Sequence, residues 1–339
     1  MKYLQLTLVL SLLILSSCKS VSTQSQKAGC RITTTELNSS KGFILENSLV
    51  KAAVFPGLSG KILGYTFKPT GEVLFMPLNE EVIEFAQPPI IVNSNFAGYK
   101  DMIWEYRFSA AYRVYKARVI TDTPDKAAVE LTWQGKNYQI VRTVFLSRNS
   151  TELNVSVTMT SLADKPQKLS YWKQITANIS NTYNPGRQIA PLALAPKKSP
   201  RGRVFNNQKT ACIYNKPVPG MSNNYFPAQP WWAWQTPGTK LIMGEVVDDL
   251  NSMRPDGFFY SHKRNLLMTQ ETIFGSRVFQ KGQSRTYSLA FVAVDGLTGL
   301  DYLSRNLAVK IVTVERTPLI VKLQAAAPRY LSGAGLKAV

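Results

Sequence analysis

The sequence predicts an all-β chain built as one large antiparallel β-sandwich domain. Three observations predict it. Long stretches alternate apolar and polar residues with a period of two, turn-forming clusters separate those stretches, and amphipathic helices are scarce. The 339 residues are 45% hydrophobic and 18% charged, which allows a real core and excludes a disordered chain.

The elements follow in order. Phe43 to Leu45, Leu49 to Val54 and Lys61 to Phe67 read as short strands, punctuated by Asn47-Ser48, Pro56-Gly57 and Pro69-Thr70-Gly71. The clearest pattern lies between Tyr112 and Ile179. There Val129, Leu131 and Trp133 alternate with Ala128, Glu130 and Thr132, and Leu153, Val155, Val157 and Met159 alternate with Glu152, Asn154, Ser156 and Thr158. Such strands pack on one face and meet water on the other. Asp122 to Lys126, Gly135-Lys136-Asn137, Arg148-Asn149-Ser150 and Asp164-Lys165-Pro166 supply turns short enough to make the sheet antiparallel. Between Asn184 and Pro237 prolines and asparagines crowd the chain, which reads as long loops dense in aromatics. A turn at Gln280-Lys281-Gly282-Gln283 leads into a β run from Thr286 to Val294. Leu300 to Ala308 is the best helix candidate. Leu319 to Leu323 reads either as a last strand or as an arm on a partner.

The N-terminus is a different kind of segment. Lys2 precedes Leu4 to Leu15, an apolar run too short to span about 30 Å of hydrocarbon but long enough for a signal-peptide core. Leu15-Ser16-Ser17-Cys18 then resembles the lipobox of bacterial lipoproteins. The resemblance implies cleavage before Cys18, a diacylglycerol thioether on it and acylation, such as palmitate, of the new amine. The expected division is a signal peptide at 1–17, a lipidated flexible tether at 18–30, the β domain at 31–315 and a tail at 316–339. The expected location is the cell envelope, on the periplasmic side of a membrane, the outer one by default. Cys30 and Cys212 remain available for a disulfide.

The formal net charge is +19, spread without a run of five basic residues. Nucleic acid is not an expected partner of an exported chain. The charge reads either as attraction to lipid headgroups or acidic polysaccharide, or as a solvated basic surface.

Residues 49–62, Leu-Val-Lys-Ala-Ala-Val-Phe-Pro-Gly-Leu-Ser-Gly-Lys-Ile, resemble the opening of galactose mutarotase-like proteins. Gln139 to Ile175 is similar to that superfamily's central sheet, and Gln280 to Val294 to its closing turn and strand. Asn95 to Glu105, with Gly98, Lys100 and Trp104, is similar to the domain-of-unknown-function 4380 family within it. The resemblance covers most of residues 31–296 and implies a supersandwich whose concave sheet receives a carbohydrate. The superfamily's reaction uses a glutamate base and a histidine acid, with a second histidine nearby. This chain has one histidine, His262, and carries Tyr171-Trp172-Lys173-Gln174 where the acid would stand. A conventional mutarotase is therefore not expected.

Candidate site residues follow. Glu271 reads as a base or an acceptor of sugar hydroxyls, against an ordinary strand glutamate. His262, between Ser261 and Lys263, reads as an acid or sugar contact, against a surface histidine. Lys173 is the third catalytic candidate, and alternation puts it and Trp172 on opposite faces of their strand. Trp231, Trp232 and Trp234, after Tyr225 and Phe226, read as the wall of a sugar site or as core. Trp104 and Glu105, with Asp101 and Arg107, form a second polar and aromatic group. Zinc spacing, a calcium loop, a phosphate-cradling glycine motif and a nucleophile elbow are all missing, so no metal or cofactor is expected. The leading expectation is a membrane-anchored carbohydrate-binding lipoprotein. The alternatives are a carbohydrate-active enzyme, either an atypical aldose epimerase or a polysaccharide lyase, and a structural envelope lipoprotein.

Overall fold

The computed structural model describes residues 29–37, 39–75, 97–106, 113–176, 189–194, 210–214, 222–225, 227–235, 239–263, 267–316 and 319–328. Cys18, the signal segment, most of the tether, Arg107 and Phe226 lie outside them.

Six strands open the chain: β1 (Arg31–Leu37), β2 (Ser40–Glu46), β3 (Val50–Phe55), β4 (Lys61–Phe67), β5 (Glu72–Val73) and β6 (Tyr99–Ile103). A meander follows: β7 (Lys116–Thr123), β8 (Lys126–Gln134), β9 (Tyr138–Ser147), β10 (Leu153–Ser161), β11 (Gln167–Leu169) and β12 (Tyr171–Thr176). Next come β13 (Ile189–Leu194), β14 (Thr210–Tyr214), β15 (Ser222–Tyr225), β16 (Pro227–Gln235), β17 (Ile242–Val247) and β18 (Met253–Lys263). The last are β19 (Leu267–Phe274), β20 (Arg277–Phe279), β21 (Ser284–Val294), β22 (Tyr302–Leu303), β23 (Ala308–Arg316) and β24 (Leu319–Ala326). Among the described residues no helix is long and apolar enough to cross a membrane.

Two large antiparallel sheets face each other. One has ten strands in the order β1-β2-β3-β4-β6-β12-β19-β18-β15, with β5 beside β4. The other has nine, ordered β14-β13-β16-β17-β21-β10-β9-β8-β7. The expected all-β sandwich is what forms. On β9 the buried residues Tyr138, Ile140, Arg142, Val144 and Leu146 alternate with half-exposed neighbours, and β10 buries Leu153, Val155, Val157 and Met159 as its alternation predicts. Apart from Arg142, these side chains join Leu45, Val54, Ile62, Tyr99, Ile103, Ile175 and Phe274 of the ten-stranded sheet in one apolar layer. Each fully buried aliphatic or aromatic side chain there stabilises the fold by about 1.5–3 kcal/mol.

A small third layer corrects two expectations. Leu300 to Ala308 is not a helix: Tyr302–Leu303 and Ala308–Arg316 are strands, and Leu319–Ala326 pairs back on the latter. This three-stranded sheet covers the back of the nine-stranded one, where Leu300, Leu303 and Ala308 pack on Trp231, Val246, Val292 and Val294. The Thr151 amide also donates to the Pro328 carbonyl at 2.6 Å. A domain edge at residue 315 would cut that hairpin, so the first part of the expected tail belongs to the fold.

The disulfide expectation fails as well. Cys30 is a buried free thiol whose Sγ lies 3.7 Å from the Leu146 carbonyl, and burial pushes its pKa up. Cys212 lies on β14, the edge strand of the nine-stranded sheet.

Candidate functional site

Strand register builds a row of polar side chains across the middle of the ten-stranded sheet. Ile62 lies opposite Tyr99, which sets Lys61 beside Lys100. Lys100 is opposite Gln174, and Gln174 is opposite Glu271. Tyr99, Ile175 and Phe274 point into the inter-sheet core, so their neighbours Lys100, Gln174 and Glu271 stand on the outer face, turned away from the second sheet. Adjacent strands are about 4.8 Å apart, so the four side chains form a line of neighbours. All are buried: Lys61 is 0%, Lys100 2%, Gln174 6% and Glu271 2% exposed.

Their partners define the chemistry. The Gln174 amide donates to Glu271 Oε1, while its own carbonyl oxygen is buried with no hydrogen-bond partner. Thr176, two residues along on the same face, also buries an unpartnered hydroxyl. The Lys61 ammonium donates to the Ala97 carbonyl at 3.0 Å. Burial, reinforced by the charge of Lys100, holds its pKa well below the ordinary lysine range. Trp172 flanks the row two residues before Gln174, its ring 5.3 Å from that of the exposed Trp104.

The opposite face of the same strands is a structural layer. Lys173 points inward and makes a buried ion pair with Glu245 of β17. Glu245 also accepts from Trp232 Nε1 at 3.1 Å, Gln270 Nε2 at 3.0 Å and Thr272 Oγ1 at 3.3 Å. Burial pushes the Glu245 carboxyl up and the Lys173 amine down, each toward its neutral form, while each charge pulls the other back. Asp101 of β6 accepts from Arg142 Nη1 of β9 at 2.7 Å and from the Tyr99 and Tyr171 hydroxyls at 2.9 and 2.7 Å. The Arg142 guanidinium also sits over the Tyr99 and Tyr115 rings. Two buried ion pairs thus bridge the sheets directly beneath the row.

Several expected site residues are therefore reassigned. Trp231, Trp232 and Trp234 are each 0% exposed on β16, not displayed on a loop. Trp232 and Trp234 face the inter-sheet core, and Trp231 faces the third layer. They cannot wall a sugar site. Lys173 is enclosed with Glu245 and cannot reach a ligand on the outer face. Asp101 is taken up by Arg142 and two tyrosines. The Glu105 carboxylate is engaged by the Ser170 amide and hydroxyl and by Ser276, holding two loops together. Of the expected residues, Glu271, Trp172 and Trp104 remain at or beside the row. His262 pairs with Met268 on β18 and β19, three register steps from Glu271; its side chain lies outside the described residues.

No family model matches the sequence, and no curated protein does. Solved structures do. A galactose mutarotase-like protein from Clostridium acetobutylicum superposes with a TM-score of 0.57 at 7% identity, over 79% of this chain and 99% of that one. The fold is galactose mutarotase-like. A galactose mutarotase related enzyme from Lactobacillus acidophilus gives 0.52 at 10% identity, over 78% and 100% of the two chains. An aldose epimerase homologue from C. elegans gives 0.50 at 9%, over 79% and 99%. Identities this low carry the fold alone.

In this galactose mutarotase-like sandwich the row can act in two ways. Glu271 and Gln174 can accept and donate hydrogen bonds to vicinal hydroxyls, and two lysines can hold an anion. A second, open cleft of about 370 Å³ lies at the turn between β8 and β9, lined by Tyr106, Trp133, Tyr138, Arg113 and Lys136. Sequence reasoning missed Lys61, Lys100 and Gln174 as site residues. The available signal was Lys61 at the head of an otherwise uncharged strand; Lys100 stands beside a second charge, Asp101, and gave none.

Proposed function

We propose that the chain is a carbohydrate-binding lipoprotein of the cell envelope that receives its sugar on the outer face of the ten-stranded sheet. One observation carries the reading. Gln174 and Thr176 bury polar oxygens with no partner beside Glu271 and the half-buried Trp172. Buried polar atoms cost roughly 1–3 kcal/mol each when unpaired, and they are kept where a ligand completes them. Sugars offer hydroxyls for such atoms and apolar C–H faces for an indole. The neighbours named as galactose mutarotase-like or epimerase-related proteins support a sugar over other small ligands.

The anchor rests on Leu15-Ser16-Ser17-Cys18. Cells fed labelled palmitate incorporate it into the wild-type chain, and Cys18→Ser abolishes the label. A chain equally labelled after that substitution removes the anchor from the account. For the site, the full chain is screened on a glycan array. Gln174→Leu, close in shape and without the amide, lowers affinity for the best hit by about tenfold or more. An unchanged affinity with intact folding removes the row as the site.

A second reading has its own observation. Glu271 and Lys100 flank Gln174 on one face, a carboxylate base and a cation able to steady an enolate. A lyase would raise ultraviolet absorbance through unsaturated products with alginate or pectin-like polymers. No rise across that panel ends it.

A further inference from the structure

We infer that the row is one end of a longer track, which continues over Trp172, Trp104 and Tyr106 into the cleft of Tyr106, Trp133 and Tyr138, and that its ligand is a glycan chain rather than a free monosaccharide. The inference rests on the reading that the outer face binds a carbohydrate, and it names the size class of that carbohydrate.

Strand alternation lays down the first half. Trp172 stands two residues before Gln174 on the outer face of β12, opposite Met102 of β6. Trp104, two residues beyond Met102, carries its ring to 5.3 Å from that of Trp172. The second half is a fixed turn. The Trp104 amide donates to the Ser170 carbonyl at 3.0 Å, and the Tyr106 amide to the Ile103 carbonyl at 3.1 Å. Between them the Glu105 carboxylate accepts from Ser170 and Ser276. The Tyr106 hydroxyl donates to Gln167 Oε1 at 3.0 Å. Its ring stacks on Tyr138 at 5.4 Å, and Trp133 meets Tyr138 edge-on at 5.1 Å.

Although this turn is tied down on all sides, Trp104 and Tyr106 are 41% and 37% exposed. Single exposed rings are ordinary on a protein surface, but rings held in succession mark a binding surface. Ordering them in advance spares a ligand the entropic cost of doing so. Each ring offers an apolar face to the C–H side of a sugar. The cleft at the far end, about 370 Å³, sets Gln134, Lys136 and Asn137 around its aromatic rings as partners for hydroxyls. Length then selects the ligand. Two strand residues, two ring contacts and a two-residue turn give a contour of about 20–25 Å from Gln174 to the cleft. One sugar ring on Gln174 and Glu271 cannot reach that far, whereas a chain of them can.

The test is an array printed with size ladders of gluco-, manno- and galacto-oligosaccharides and of oligouronates, each starting from the monosaccharide. It is probed with the full chain in detergent, and the best ladder is measured by calorimetry. Affinity rises about tenfold or more from the shortest binding member to the longest. Tyr106→Ala lowers affinity for the longer members and spares the shortest. Tyr106→Phe, which keeps the ring and loses only the hydroxyl bond, keeps the rise, which separates stacking from loss of the turn. Gln174→Leu weakens every member. Equal affinity along the ladder, or a rise that survives Tyr106→Ala, overturns the track and leaves the sugar reading standing. A rise that depends on Tyr106 but not on Gln174 seats the glycan in the cleft alone and overturns both. No binding to any member does the same.

Discussion

Lys61 illustrates what a single residue contributes. Its amine is enclosed, faces a second cation and has its basicity lowered by burial. The folded state therefore binds fewer protons than the unfolded chain between the lowered pKa and the usual lysine value, and stability from this group rises with pH across that window. Without ligand, Lys61→Met raises the thermal midpoint at neutral pH by a few degrees, measured by calorimetry; a fall of similar size contradicts the account. Substituting Lys173 has the opposite effect, because its partner is present. Lys173→Met strands the buried Glu245 carboxylate and costs about 3–5 kcal/mol in denaturant unfolding. Lys173→Met with Glu245→Gln removes the stranded charge, keeps an acceptor for Trp232 and Gln270, and recovers most of the loss. A double variant no better than the single would show that the charge pair is not what holds these strands together. Alternation already separated Lys173 from Trp172 in the sequence. Which of the two met the core was decided by Glu245, which lies far away in the chain and has no spacing relation to it.

At the scale of elements, β4 and β6 meet closely because of Gly98. Its φ is +57°, and a Cβ there would strike the Ile62 carbonyl and Leu63. The Thr176 amide also donates to the Gly98 carbonyl at 3.1 Å, fixing β12 to the same point. Gly98→Ala combines steric overlap with a left-handed backbone and costs roughly 1–3 kcal/mol. Calorimetric unfolding checks the cost; an unchanged midpoint would show that the close approach of β4 and β6 does not depend on a glycine there.

The elements also show what was readable. Strands wet on one face, such as β9 and β10, declare themselves by alternation. β16 does not, since the ten-stranded sheet buries one of its faces and the C-terminal hairpin the other. A strand buried on both faces loses its polar beat, and Pro227 and Pro230 made this one read as a loop. That is why three core indoles resembled a sugar wall. The row stayed hidden for another reason: β4, β6, β12 and β19 are not consecutive, and only sheet order brings their residues into line.

For the whole molecule, the decisive feature is a sandwich whose inner layer is polar at its centre and apolar around it. Five tyrosines report on that layer. Burial raises Tyr65, Tyr99, Tyr115 and Tyr171 well above the usual range and Tyr287 to about 12. Groups held protonated by the fold contribute stability below the unfolded value near 10 and lose it as pH rises through the folded one. Alkaline titration followed by tyrosinate absorbance therefore shows at least these five of the 15 tyrosines ionising late, together with unfolding. A smooth titration of all tyrosines near pH 10 in a folded chain would contradict the enclosed layer.

The sandwich leaves one central claim, that its outer sheet face holds the ligand. A crystal structure of the chain with its best array glycan tests this most directly. The account predicts the sugar lying across β4, β6, β12 and β19, with hydroxyls on Gln174 and Glu271 and Trp172 at its side. A sugar seated instead in the Tyr106, Trp133 and Tyr138 cleft, with the row untouched, would contradict it.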